Sequence, residues 1–172
     1  GSGATMQYSG YYRNAAATRR VHDRGWIDSG DLGYIAEGEL YVTGRAKDLI
    51  IRAGRNIHPQ ELEEAVGVVP GIRLGFVAVF GMHNARSGTE RLVVAAETRA
   101  THPEDLEKLV SKIRDLSSEL LDAPPDDVVL VPPRSLLKTS SGKIRRATAR
   151  ELQRQRALGR TQRAPWWQLT RL

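Results

Sequence analysis

The chain has 172 residues, enough for one domain with a real core or for one small domain plus a fragment. Cysteine is absent and no apolar run approaches the length of a membrane span, which excludes a disulfide framework, thiolate chemistry and a helical membrane anchor. The net charge of +6 is uneven: residues 134–172 carry eleven Lys/Arg and one acid, Glu151, whereas residues 1–133 carry fifteen Lys/Arg and nineteen acids.

Gly1-Ser2-Gly3-Ala4 reads as a cloning scar and takes no part in the fold. Residues 10–24 show no clean period and read as a loop with a short helical piece around Ala15–Arg20. Leu32–Ile35 and Leu40–Thr43 flank the acidic turn Glu37-Gly38-Glu39, which predicts a β-hairpin. Leu49-Ile50-Ile51 is a short buried strand that turns back at Gly54 onto a second one. Pro59 suits the first turn of a helix, because its missing N–H has no intrahelical partner there. That helix has Leu62, Ala65 and Val66 on its apolar stripe, Glu61, Glu63 and Glu64 facing out, and its end at Pro70-Gly71.

Leu74–Phe80 is a continuous apolar run of strand length, and Arg91–Thr98 a second strand beyond a loop at Asn84–Thr89. Thr101 and Glu104 fit a capping box with Pro103 in the first turn. The helix so opened places Leu106, Leu109, Val110, Ile113, Leu116, Leu120 and Leu121 on one face, the clearest helical spacing in the chain. After a Pro-rich loop, Val128–Val131 is a third strand. A basic helix follows from Ile144, with Thr148 and Leu152 on the Ile144 side. Residues 157–172 read as a mobile tail on which Trp166-Trp167 could dock. Three buried strands interleaved with helices make a small α/β (α+β) domain: one three-stranded sheet flanked by helices, plus a two-stranded hairpin.

A few residues bear on chemistry. His22, His58, His83 and His102 lack metal-ligand spacing, so no metal site is expected of them. Ser140-Ser141-Gly142 lacks the glycine spacing of a Walker loop. Lys143 follows Gly142 just before a helix. Taken alone it is either one more surface lysine of a basic end or a cation presented on a turn. Asp31 is either a turn aspartate or a carboxylate able to accept two hydrogen bonds at once, as the vicinal hydroxyls of a ribose require. Gly54 is at least a turn glycine.

Three ordered blocks decide between these readings. They are Gly25–Gly33 (G-W-I-D-S-G-D-L-G), Gly44–Glu63 (G-R-A-K-D-L-I-I-R-A-G-R-N-I-H-P-Q-E-L-E) and Ser135–Arg146 (S-L-L-K-T-S-S-G-K-I-R-R). Together they resemble the end of the adenylate-forming acyl ligases, a superfamily of acyl-CoA synthetases, fatty acyl-AMP ligases, luciferases and peptide-synthetase adenylation domains. The likeness runs from about Gly10 to Leu152, and its wording is nearest the fatty acyl-AMP ligase branch.

The resemblance implies a division of the chain. Residues 1–46 would hold the scar and the last strands of an N-terminal catalytic body, 47–156 a C-terminal lid domain, and 157–172 a basic tail. It implies a cytoplasmic ligase that joins a carboxylic acid to ATP as acyl-AMP and passes the acyl group to the thiol of CoA or of a carrier protein's phosphopantetheine. Lys143 would be the catalytic cation and Asp31 the ribose ligand, with Ser29 keeping the hydroxyl of the usual threonine. Arg45 would reach the ribose or the phosphates, Lys47 would be the hinge, and Gly54 would line the thiol channel. ATP and magnesium would be held mainly by the absent body, so this stretch alone is expected to be inactive. The partners implied are that body and an acyl carrier protein or CoA. A second reading is a non-catalytic module that docks a carrier protein through the basic surface. Nucleic acid, suggested only by the charge, finds no recognition motif.

Overall fold

The computed structural model describes residues 12–23, 26–52, 54–83 and 89–159. They fall in two compact units that divide between Lys47 and Asp48.

The first unit opens with α1, Ala15–Val21, started by Asn14, whose Oδ1 accepts the Ala17 N–H at 3.0 Å. Two short strands, β1 (His22–Asp23) and β2 (Trp26–Ile27), pair antiparallel. The expected hairpin follows as β3 (Asp31–Ala36) and β4 (Glu39–Arg45). Its two-residue turn, Glu37-Gly38, has φ of 53° and 83°, the pair of positive values that matches the twist of the strands. At Gly33, beside a register shift, a Cβ would lie 2.6 Å from the Tyr41 carbonyl oxygen, so only glycine fits. A 3-10 turn, Ala46–Asp48, leads out of β4.

The second unit begins with the hairpin β5 (Ile50–Arg52) and β6 (Arg55–Ile57), in which Ile50 pairs with Ile57 and both are buried. Then come α2 (Pro59–Gly67), β7 (Ile72–His83), β8 (Glu90–Thr98), α3 (Pro103–Leu121), β9 (Asp127–Val131) and α4 (Arg146–Arg154). The sheet order is β7-β8-β9, antiparallel between β7 and β8 and parallel between β8 and β9, with α3 as the crossover. Alternation splits the core into two layers. Val77, Val79, Leu92 and Val94 meet α2, α3 and the β5–β6 hairpin, whereas Ala78, Phe80, Val93 and Ala95 meet Leu136 and Ala149 of α4. The α/β reading, its three-stranded sheet and its hairpin therefore hold.

Details differ from expectation, each for a physical reason. Glu63 does not face solvent: it binds Arg146 and caps the edge of β7. The capping box at Thr101 does not form. Pro103 occupies the first helical position, which holds His102 extended as the N-cap, and the box partner of His102 would be Asp105. Leu120 is 49 % exposed, and the inner face of α3 instead buries Ser117, whose hydroxyl donates to the Ile113 carbonyl at 2.6 Å. Helix α2 ends at Gly67, before Pro70. In β7 burial starts at Val77 and leaves Leu74 73 % exposed, because Gly75 takes a φ of 74° and interrupts the alternation. The basic helix starts at Arg146, since Ile144 still pairs with Lys138. Leu158, assigned to the tail, packs on the core layer beside Val131, and the Ala157 N–H donates to the Leu152 carbonyl at 2.8 Å. Trp166-Trp167, most of the tail and most of the loop from Asn84 lie outside the described residues. Among the described residues no helix is long and apolar enough to cross a membrane.

Candidate functional site

In the first unit, the turn before β3 is built by its own side chains. Asp28 Oδ1 accepts the Gly30 N–H at 2.8 Å and Ser29 Oγ accepts the Asp31 N–H at 3.2 Å, with Gly30 at a φ of 71°. The Ala46 N–H closes the other side by donating to the Gly30 carbonyl at 2.9 Å. Asp31 opens β3 and Arg45 ends β4, directly opposite in register, with Arg45 Nε 3.2 Å from Asp31 Oδ1. Both side chains are partly exposed, so the pair adds little stability. Asp31 Oδ2 and the two η nitrogens of Arg45 have no partner among the described residues, which leaves an acceptor and two donors side by side. Lys47 is exposed in the 3-10 turn, and its ammonium also has no partner among the described residues.

In the second unit, Gly54 has a φ of 77° at the tip of β5–β6, and a Cβ there would meet nothing within 4 Å. The backbone conformation thus requires glycine, whereas space does not. The hairpin is clamped. Arg52 Nη1 donates to the Pro124 carbonyl at 2.8 Å and its Nε lies 3.1 Å from Asp126 Oδ2. Arg55 Nη1 reaches Asp122 Oδ2 at 3.0 Å, and the Ile51 N–H donates to Glu90 Oε2 at 2.9 Å.

Lys143 closes a tight turn. The Thr139 N–H donates to the Lys143 carbonyl at 2.8 Å, the Lys143 N–H donates to Thr139 Oγ1 at 3.1 Å, and Gly142 supplies a φ of 80°. The side chain is exposed and its ammonium has no partner among the described residues. Both stems of the turn are fastened by charge. On the incoming side, fully buried Glu97 accepts the Leu136 N–H at 2.8 Å and pairs with Arg73 at 2.8 Å. Arg73 and Lys138 flank the Phe76 ring, 3.7 and 4.1 Å from its centre. On the outgoing side, Arg146 Nε and Nη2 grip Glu63 at 2.6 Å each, and Nη1 binds Asp48 Oδ2 at 2.8 Å. Those bonds, Glu63's first, hold the guanidinium proton even more tightly than usual, against the opposing effect of burial. Of the sequence-predicted residues, Asp31 and Arg45 are thus gathered as one pair in the first unit, and no contact links Gly54 with Lys143 among the described residues of the second. Among the described residues there is no group of three or more His, Cys, Asp or Glu side chains placed to hold a metal ion.

No family model matches the chain. Its sequence is 42 % identical over 128 residues to "Probable long-chain-fatty-acid–AMP ligase FadD30" of Mycobacterium tuberculosis, covering 71 % of this chain and 21 % of that one. A solved structure from work on fatty acyl-adenylate ligases of E. coli and L. pneumophila superposes with a TM-score of 0.71 at 35 % identity, over 89 % of this chain and 26 % of that one. The chain belongs to the adenylate-forming acyl ligases. Within these ligases it is also 34 % identical over 152 residues to the medium-chain-fatty-acid–[acyl-carrier-protein] ligase JamA of Moorena producens, covering 82 % of this chain and 25 % of that one. It spans about a fifth to a quarter of the length of the ligases it matches. What motif reading missed in this ligase stretch are the charged residues that hold the motifs in place: Asp48, Glu63, Arg73, Glu97 and Arg146. Asp48, Glu63 and Arg146 stand inside the recognised blocks, so their membership was a usable signal. Glu97 directly follows the apolar run Leu92–Ala96 in β8, the sequence feature that marks a buried acid needing partners.

Proposed function

We propose that this chain is the lid portion of a cytoplasmic, ATP-dependent acyl ligase, and that Lys143 is its catalytic cation. The observation that carries the reading is the Lys143 turn: an exposed ammonium with no partner among the described residues, on a turn whose two stems are both pinned. In the complete enzyme a carboxylate oxygen bonds to the α-phosphorus of ATP while the bond from that phosphorus to the bridging oxygen breaks, releasing pyrophosphate. Both reactants are anions, so the barrier is largely charge. An ammonium already in position offsets that charge without reorganising at the moment of reaction. Lysine suits this as a point charge on a long stem. Asp31 accepts the ribose hydroxyls and Arg45, already beside it, reaches the ribose or phosphates.

Lys47 is the hinge about which the lid turns, so that the β5–β6 hairpin with Gly54 replaces Lys143 at the site. A thiol of CoA or of a carrier-protein phosphopantetheine then takes the acyl group and AMP leaves. Carrier-protein transfer is supported by the acceptor in the name of the Moorena producens ligase. Residues for magnesium, adenine and the acyl chain belong to the remainder of the enzyme.

Pyrophosphate exchange tests this reading. This chain alone should give no exchange above background with ATP and fatty acid. Lys143→Ala in the complete enzyme should fold and lose about 10²- to 10³-fold in adenylation, as for removal of one preorganised donor. Exchange by the chain alone, or an unaffected Lys143→Ala enzyme, overturns it. The alternative, a non-catalytic carrier-docking module, is favoured by Arg145, Arg150 and Arg156, which are exposed with no acidic partner among the described residues. It predicts salt-sensitive binding of an acidic carrier protein that Lys143→Ala leaves intact while adenylation is unchanged.

A further inference from the structure

The contacts of Arg146 contain one more than the fold needs. Glu63 takes the Nε and Nη2 edge of the guanidinium in a bidentate fork, and the same carboxylate accepts the Val79 N–H at 2.9 Å on the open edge of β7. That much joins α4 to α2 and satisfies the edge of the sheet. The third bond, from Nη1 to Asp48 Oδ2 at 2.8 Å, adds nothing to the sheet. Asp48 lies 98 positions from Arg146, is the first residue of the second unit, and directly follows Lys47. Arg146 in turn lies three residues after Lys143, and the Arg145 N–H between them donates to the Leu137 carbonyl at 2.9 Å across the stem. All three charged side chains are largely buried, where the bonds are short and poorly screened.

We propose that Arg146 is the positioning residue for Lys143, and that its bond to Asp48 fixes the Lys143 turn to the backbone at the boundary between the two units. A change of backbone angles at Lys47 then carries Asp48, Arg146 and the turn together, so the ammonium keeps its place relative to the axis of motion. This rests on the reading of Lys143 as the catalytic cation. The mechanical part stands without it, because it concerns only contacts inside the second unit.

Hydrogen exchange on this chain tests the mechanical part. Asp48→Ala should speed exchange of the Gly142, Lys143 and Arg145 amides by about tenfold, the loss of one charge-assisted hydrogen bond, while the Val79 amide and the sheet keep their protection. Asp48→Asn, which keeps the size of the side chain, should show the same pattern in smaller degree. Arg146→Lys keeps the charge but loses the fork, and should release both the turn and the Val79 amide. Unchanged exchange in the turn of Asp48→Ala overturns the proposal, as does a uniform rise at all amides, which would mean that Asp48 serves stability alone. In the complete enzyme, Asp48→Ala should lower kcat for adenylation with KM for ATP unmoved. If Lys143→Ala fails to lower adenylation while the exchange pattern holds, the catalytic reading fails and the tether survives. If Lys143→Ala abolishes adenylation while Asp48→Ala moves neither exchange nor kcat, the tether fails and the catalytic reading survives.

Discussion

Glu97 Oε1 accepts the backbone N–H of Leu136 at 2.8 Å across 39 positions of chain, from a carboxylate with no solvent exposure at all. Its other oxygen is held by Arg73, which is partly open to solvent and stacks on Phe76. A buried acid survives only when paired and hydrogen-bonded, and here its two oxygens meet those needs separately.

Glu97→Ala should therefore be among the more damaging single changes in the second unit. It leaves the Leu136 N–H buried without an acceptor and strips Arg73 of its partner. Breaking a buried pair costs about 3–5 kcal/mol, and because Arg73 can return to water the lower end applies. Glu97→Gln keeps one acceptor for Leu136 and should cost less. Urea unfolding of the two variants checks the order, and equal midpoints for Glu97→Ala and the parent would refute it.

The core offers a cleaner contrast along one helix face. Ile113 on α3 and Leu62 on α2 are both fully buried against the sheet, whereas Leu120, two turns further along α3, is half exposed. Ile113→Ala and Leu62→Ala should each cost about 2–5 kcal/mol through lost burial and the cavity left behind. Leu120→Ala should stay within about 0.5 kcal/mol. Comparable losses at Leu120 and Ile113 would mean that the α3 face is assigned wrongly.

That contrast marks where sequence reading succeeded and where it stopped. Apolar patterning located the elements of the second unit: the sheet strands are buried along most of their length and read as continuous apolar runs, while α3 shows a spacing of about 3.6. It could not tell Leu120 from Leu116, because both fit the helical face, yet Leu116 and Leu121 pack on the core while Leu120 between them is half exposed. It mistook Glu63 for a solvated residue, because a carboxylate flanked by Glu61 and Glu64 looks like an outer face until an arginine 83 positions away arrives. The site showed the same division. Asp31 and Arg45 are local in the hairpin and came out together, while the ties to Asp48 and Leu136 are long-range and carry no periodic trace.

Gly142 gives the Lys143 turn its shape through backbone conformation, not through space. Its φ is 80°, and an added Cβ would meet nothing within 4 Å. Gly142→Ala should cost about 1–2 kcal/mol from the left-handed backbone alone, and Gly142→Asn less, since asparagine tolerates that region. Calorimetric melting of this chain would show the order Gly, then Asn, then Ala. An alanine variant as stable as the parent would mean that the turn relaxes to another conformation, and the Lys143 amide would then lose its protection by Thr139.

Acid should act on α4 through Glu151. Arg154 Nη2 and Nε donate to its carboxylate at 2.7 and 2.9 Å, and Gln155 Nε2 at 2.5 Å. The Arg154 bonds first, then Gln155, lower its pKa from the ordinary 4.5 to about 2. A carboxyl held below its unfolded value stabilises the folded helix fully above pH 4.5, and that contribution drains away as pH falls toward about 2. The group is fully exposed, so the effect on global stability is small and is better read locally. A carbon-13 titration of the Glu151 carboxyl should show its midpoint well below the ordinary 4.5, and Arg154→Ala should move it back up. Glu151→Gln should flatten the loss of α4 helicity between pH 4.5 and 2. A midpoint at the ordinary glutamate value would mean that the Glu151–Arg154 pair does not persist in solution.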